Sequence, residues 1–219
     1  MSKIRDWISI LWGIRVKKVK SALNGTLEVW YVNRNYSLDA ENVNYSFGSL
    51  HRLFQQIFLQ TGVKEKNPGN VLLLGIGAGS VISILRDELK LTSQITGVEH
   101  DPEVIRLGKE YFRLGNYSGM KIFLSDAFDF MEKNMDPYDL IVIDLFHDEN
   151  VPEKFQTNSF IDFCIHSLAP SGMLIFNFIV KSRKQKKEFE DMTRIFQTKG
   201  GKLSIIDIFS TNRVIIFTI

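Results

Sequence analysis

The sequence predicts an α/β fold, a doubly wound and mostly parallel sheet of seven strands preceded by a small antiparallel β appendage. Three observations predict it. The stretch VLLLGIGAGSVISIL, residues 71–85, is an apolar run broken by Gly75, Gly77 and Gly79 and resumed at helical spacing. That is the pattern of a buried parallel strand turning tightly into a helix. After it, short apolar runs alternate with helical patterns to the last residue. Before it, RVKKVKSAL and TLEVWYV flank Asn24-Gly25, a strong hairpin signal.

Taken in order, the first residues, IRDWISILWGI, carry Arg5 and Asp6 and lack a small-residue cleavage site, so they do not read as a signal peptide. They are also too short to span a bilayer, and Trp7, Ile8, Leu11 and Trp12 form an amphipathic turn expected to pack on the protein or on a second subunit in preference to a membrane surface. Residues 15–41 read as an antiparallel meander with turns at Asn24-Gly25 and at Asn33-Arg34-Asn35. Residues 47–59 have helical spacing, with Phe47, Leu50, Phe54, Ile57 and Phe58 on one face, and KEKNPGN closes that helix as a loop. The expected division is an appendage with its linking helix over residues 1–62 and a nucleoside-binding domain over 63–219.

In the main domain Ser80 is placed to cap the helix after the glycine turn. QITGVE is the second strand, and Pro102 opens a helix carrying Val104, Ile105, Leu107 and Phe112. MKIFLSDAF and YDLIVIDLF are the third and fourth strands, residues 157–168 a helix, Pro170-Ser171-Gly172 a turn and MLIFNFIV the fifth strand. Residues 182–199 form another helix; KLSIIDIF and RVIIFTI end the sequence as an antiparallel pair.

Formal net charge is +2 and 24% of residues are charged, so no overall field points to nucleic acid, and KSRKQKK at 181–187 reads as a solvated helix face. The single Cys164 lies in an apolar helical pattern and reads as a buried structural thiol in a reducing, cytoplasmic setting. The four histidines have no metal-ligand spacing, so no metal is expected.

Polar residues at the strand ends point to function. Successive strands end at Gly75, Glu99, Asp126 and Asp144, on the edge where such a sheet places its ligand. The glycine turn presents free N–H groups at a helix start and lets a ligand approach the main chain. Its spacing, G-x-G-x-G, is not the full dinucleotide fingerprint, and the ending of a phosphate loop is absent. Glu99 can accept from ribose hydroxyls, and Asp126, followed by Ala127 and Phe128, from an adenine amino group. Asp144 precedes the polar stretch LFHDENVPEKFQTN, read as a lid, and is placed to orient a nucleophile and take its proton.

VLLLGIGAGS, VEHDPEVI, SDAFDF and YDLIVIDLF, in that order, resemble the class I S-adenosylmethionine-dependent methyltransferase fold, and more narrowly its spermidine synthase branch. The resemblance covers roughly residues 24–200. It implies that Gly75, Gly77 and Gly79 pass beside the methionine part of the donor, that Glu99 holds the ribose, and that Asp126 with Ala127 meets the adenine. It further implies that Asp144 helps deprotonate the attacking amine. Tyr36, Tyr45, His51, His147 and Asp148 are the expected acceptor-pocket residues.

The chain departs from that branch. Spermidine synthases carry glutamine where Tyr36 stands, Tyr-His-Glu where this chain has Tyr45-Ser46-Phe47, and two aspartates three apart where it keeps Asp144 but shifts the second acid to Asp148. A diamine is a dication at neutral pH and needs a carboxylate at each end. Asp148, Glu149 and Asp39 are the acids left to compensate. The expected function is therefore methyl transfer from S-adenosylmethionine to a small polar acceptor. Aminopropyl transfer from decarboxylated S-adenosylmethionine, or a non-catalytic nucleoside-binding module, are the alternatives. No Asn/Asp-Pro-Pro-aromatic motif is present, which argues against nucleic-acid bases as acceptors. Neither nucleic acid nor membrane is an expected partner, and the aromatic residues Trp7, Trp12, Trp30 and Tyr31 predict a homodimer.

Overall fold

The structure is a computed structural model that describes residue 9, residues 12–40, the backbone of 43–46 and residues 48–219. Trp7, Ile8, Leu11 and Phe47 lie outside the described residues, as does the side chain of Tyr45.

The appendage is an antiparallel sheet in the order β1 (Ile14–Ser21), β2 (Gly25–Val32), β3 (Asn35–Ala40), β4 (Val43–Ser46). Both expected turns are present, with Asn33 and Arg34 at positive φ. β4 was not read from the sequence; at four residues, with alternating polar positions and no apolar run, it carries almost no periodic signal. One face of the meander, Leu27, Val29 and Leu38, is buried against Val104, Leu107 and Phe112 of the main domain. Tyr31 is buried with this sheet, so it does not contribute to an aromatic surface, whereas Trp12 is 77% exposed.

Helix α1 (Ser49–Thr61) and the short α2 (Val63–Lys66) lead into the main sheet. Leu53, Phe54, Ile57 and Phe58 of α1 pack in the core of that sheet rather than on the appendage.

The main sheet has seven strands in the order β10-β11-β9-β8-β5-β6-β7. They are β5 (Asn70–Leu74), β6 (Gln94–Glu99), β7 (Met120–Leu124), β8 (Tyr138–Ile143), β9 (Leu168–Ile179), β10 (Lys202–Ile208) and β11 (Asn212–Thr218). β5 to β9 pair in parallel, and β11 runs antiparallel to both β9 and β10. Alternate residues of β5 face opposite layers. Leu72 and Leu74 join a core with α5 (Ala127–Lys133), α6 (Asn158–His166) and α7 (Arg183–Gln197), while Val71 and Leu73 join one with α1 and α3 (Ser80–Ser83). Cys164 is fully buried in the first of these cores, and burial pushes its thiol pKa up.

Two local expectations are corrected. Ser80 is the first residue of α3 rather than its cap; Gly79, at φ 100°, occupies the cap position without a side-chain hydrogen bond, and α3 runs on into a π-helical turn over Ile84–Glu88. Pro170-Ser171-Gly172 does not separate a helix from a new strand. β9 begins at Leu168 and absorbs the bend as a register shift opposite β8, with Ser171 at φ 64°. Among the described residues no helix is long and apolar enough to cross a membrane.

Candidate active site

Parallel pairing brings the predicted residues to one edge. Val98, Leu74 and Ile143 are neighbours in register, so the residues that follow them, Glu99, Gly75 and Asp144, leave the sheet side by side. Main-chain bonds extend the pairing past the strand ends: Gly75 N–H donates to Val98 O at 3.0 Å, and Asp144 N–H to Leu74 O at 2.9 Å. Gly75, at φ 83°, faces the Asp144 carbonyl so closely that an added Cβ would lie 2.3 Å from its oxygen. Gly77 and Gly79 also adopt positive φ, completing a turn that only glycine forms without strain.

Glu99 is buried and fastened to the main chain. Its Oε2 accepts from Gly77 N–H at 3.1 Å, and its Oε1 from the N–H groups of His100 and Asp101 at 3.0 and 3.1 Å and from His100 Nδ1 at 3.1 Å. The bond to Glu99 raises the His100 pKa against the opposing effect of burial. Asp101 caps α4 (Pro102–Tyr111) by accepting from Glu103 N–H at 2.8 Å. Its other oxygen receives Asn24 Nδ2 at 2.6 Å and the Ser21 hydroxyl, so the appendage hairpin is latched to the segment that holds Glu99.

Asp126 caps α5 through Phe128 N–H at 2.9 Å, and its second oxygen pairs with Lys154 from the segment after β8. That segment is anchored by Leu145, Val151 and Phe155, all buried, by a Lys181–Glu149 ion pair, and by Gln185 Nε2 donating to Glu149 O at 3.0 Å.

Two cavities meet at Gly75, Glu99, His100, Leu145 and Phe146. The first, about 470 Å³, holds Gly77, Ser80 and Asp144 with Arg52, Glu149, Lys181 and Asn212 at its walls. The second, about 510 Å³, holds Asp126, Ala127, His147, Asp148 and Lys154. Asp144 is half-buried under the glycine turn. Burial, with a contribution from Glu99, pushes its carboxyl up to about 6, opposed by a hydrogen bond from Asn177. Asn177 Nδ2 donates to Asp144 Oδ1 at 3.0 Å.

Of the residues expected to line an acceptor pocket, the described ones, Tyr36, His51, His147 and Asp148, do not share the Asp144 cavity. Tyr36 packs against Tyr31, Tyr111 and Phe112, and His51 Nε2 lies 2.5 Å from Glu88 Oε1. Both line a third, more open cavity of about 810 Å³ between the appendage and the helices. His147 and Asp148 are exposed and border only the second cavity. Asp39 lines none of the three; burial, aided by Glu28, raises its pKa within the appendage sheet. Sequence reasoning missed Arg52, Lys154, Asn177 and Asn212. Among the described residues no cluster of His, Cys, Asp and Glu is arranged to hold a metal.

The donor set fits an adenosyl sulfonium compound. Glu99 stands between two cavities, one walled by Ala127, Leu145, Val151 and Phe155 for a flat apolar base, the other carrying the Arg52 cation.

Comparison with known proteins gives consistent results. The family model for the spermine/spermidine synthase domain matches residues 55–204. A polyamine aminopropyltransferase of Vibrio vulnificus (strain CMCP6) is 30% identical over 132 residues, covering 59% of this chain and 44% of that protein. An eEF1A lysine and N-terminal methyltransferase homolog of Drosophila melanogaster is 22% identical over 165 residues, 68% of this chain and 24% of that protein. The chain thus spans less than half the length of these curated relatives. Among solved structures, a probable spermidine synthase from Corynebacterium glutamicum ATCC 13032 superposes with a TM-score of 0.72 at 20% identity, covering 94% of this chain and 79% of that one. Human methyltransferase-like protein 13, in complex with SAH, superposes with a TM-score of 0.63 at 21% identity, covering 78% and 82%. These likenesses establish the fold.

Proposed function

The chain belongs to the spermine/spermidine synthase domain family, and from that premise we propose that it is an S-adenosylmethionine-dependent methyltransferase acting on a small polar acceptor. The observation that carries this reading is the charge around Asp144. Its cavity also holds Arg52 and Lys181, and Glu149, the other rim acid, is already paired with Lys181. A dicationic amine would meet one available carboxylate at the far end from Glu99 rather than two, and burying its second charge unpaired is costly. A donor that keeps its α-carboxylate finds in Arg52 the cation it requires.

S-adenosylmethionine supplies a methyl group on a sulfonium, displaced in line by the acceptor's lone pair as the carbon–sulfur bond breaks toward sulfur. The protein's part is placement. Gly75, Gly77 and Gly79 admit the donor against the main chain, Glu99 takes the ribose hydroxyls, Asp126 and Ala127 take the adenine end, and Arg52 takes the carboxylate. Leu145 and Phe146 exclude water, and Asp144 holds the acceptor and receives its proton. A pKa near 6 keeps Asp144 ionised at neutral pH yet basic enough to act. Alignment of this kind is worth roughly 7–11 kcal/mol, which leaves few residues with covalent work to do.

Aminopropyl transfer is the second reading, favoured by the Vibrio relative's name and identity. Product analysis separates the two. Incubation with each donor and a panel of amines, carboxylates and hydroxyl compounds is expected to release S-adenosylhomocysteine from the intact donor. Release of methylthioadenosine from the decarboxylated donor with a diamine would replace methyl by aminopropyl transfer.

A further inference from the structure

Three side chains behind Asp144 form a hydrogen-bonded line that the reaction as described does not use. Thr211 Oγ1 donates to Asn212 Oδ1 at 3.3 Å, Asn212 Nδ2 to Asn177 Oδ1 at 3.1 Å, and Asn177 Nδ2 to Asp144 Oδ1 at 3.0 Å. Asn177 is 1% exposed and interrupts the otherwise apolar end of β9. An amide is placed there at the cost of desolvation, which its two hydrogen bonds offset. Antiparallel pairing of β9 with β11 builds the line: Val214 lies opposite Asn177 and Asn212 opposite Ile179, so Asn212 sits one step toward the cavity.

The line has a direction. An ionised Asp144 can only accept, so Asn177 turns its amino group to Oδ1 and its carbonyl oxygen to Asn212 Nδ2. Oδ1 of Asp144 is thereby the oxygen already engaged as an acceptor. Oδ2 has no protein hydrogen-bond partner among the described residues, and Asp144 lines the cavity.

We propose that Asn177 and Asn212 are positioning residues for Asp144: with Thr211 they hold Oδ1 as an acceptor and leave Oδ2 as the oxygen that takes the proton of the methyl acceptor. The proposal rests on the reading of Asp144 as that base. Asp144 is faced by Glu99 and His100 after β6, by Arg52 of α1, and by Glu149 and Lys181 at the rim. Among the described residues none of these hydrogen-bonds to its Oδ1, so the amide line is what discriminates between the two oxygens.

The test is an NMR titration of the Asp144 carboxyl carbon in the free protein, assigned by its loss in Asp144→Asn. Asn177→Leu is expected to move the midpoint upward by about one unit, since a donor to the ionised form is lost. Asn212→Ala, which does not touch Asp144, is expected to move it the same way by less, because the Asn177 amide is then free to turn over. Asn212→Ser keeps a donor and should restore most of the wild-type midpoint. A folded Asn212→Ala protein with the wild-type midpoint would overturn the proposal, and this variant, at a half-buried position, remains informative if Asn177→Leu does not fold. The titration needs no turnover. Shifted midpoints in a protein that never transfers a methyl group would support the amide line and count against the proposed activity.

Discussion

The carbonyl of Asp144 lies where a side chain at position 75 would stand: a Cβ on Gly75 would come within 2.3 Å of that oxygen. The glycine turn and the acid are therefore one unit, and the turn's shape sets the height of Asp144 above the sheet. Gly75→Ala must displace either the turn or the end of β8, at positive φ as well as in contact. The variant is expected to lose about 1–3 kcal/mol of stability and at least tenfold in donor affinity, read by urea unfolding and calorimetry.

Asp144 also links the site to pH. Its folded-state carboxyl, near 6, lies above its ordinary value of 3.8. A group raised in the folded state contributes stability that is full below about 3.8 and is lost as pH rises through about 6. Asp144→Asn should consequently be more stable than wild type at pH 8, by roughly 2–3 kcal/mol, with the gain disappearing near pH 4. Turnover should fall by a factor of about 100 or more with little change in donor affinity. Paired urea titrations at the two pH values check the sign. In the wild type, the acid limb of the rate profile should fall near pH 6.

Lys154 holds the Asp126 oxygen that an adenine amino group would need. Lys154→Ala is expected to tighten S-adenosylhomocysteine binding about two- to fivefold, the scale of an exposed ion pair. The gain should be absent for an analogue whose base carries a 6-oxo group. Weaker binding in Lys154→Ala would mean that the lysine serves the donor instead of competing with it.

The appendage is tied to the site through Asp101. Asp101→Ala removes a helix cap and leaves Ser21 and Asn24 without their shared acceptor, a loss of about 2–4 kcal/mol. The main-chain N–H of residue 101 that donates to Glu99 survives the substitution but loses the cap and latch that fix its segment, so donor affinity is expected to fall modestly with it. Asn24→Ala, farther from Glu99, should loosen the hairpin while leaving donor affinity within about threefold. Hydrogen exchange of β1 and β2 with parallel binding measurements separates the two effects.

The sheet was legible because buried parallel strands leave continuous apolar runs and glycine is nearly obligatory at the turn after β5. The acids at Glu99, Asp126 and Asp144 were legible because each ends, or follows closely on, a strand of known direction. Arg52 was not, since it reaches the cavity from a helix on another layer, and nothing in its own stretch reveals what that layer faces. Tyr36 entered by resemblance and His51 from its place on the linking helix, and the structure seats them elsewhere because an aromatic cluster and Glu88 claim them. Asn177 did leave a signal: an amide inside MLIFNFIV asks for a buried partner. The partner depends on the β9–β11 register, which a single sequence does not encode locally.

The most direct test of the account is calorimetric titration of the wild type and of Arg52→Ala with S-adenosylmethionine and its decarboxylated form, side by side. The wild type should prefer the carboxylated donor, and Arg52→Ala should lose most of that preference, by a factor of about ten, while binding the decarboxylated donor nearly unchanged. Wild-type preference for the decarboxylated donor, untouched by Arg52→Ala, would contradict the account and make aminopropyl transfer the function of this site.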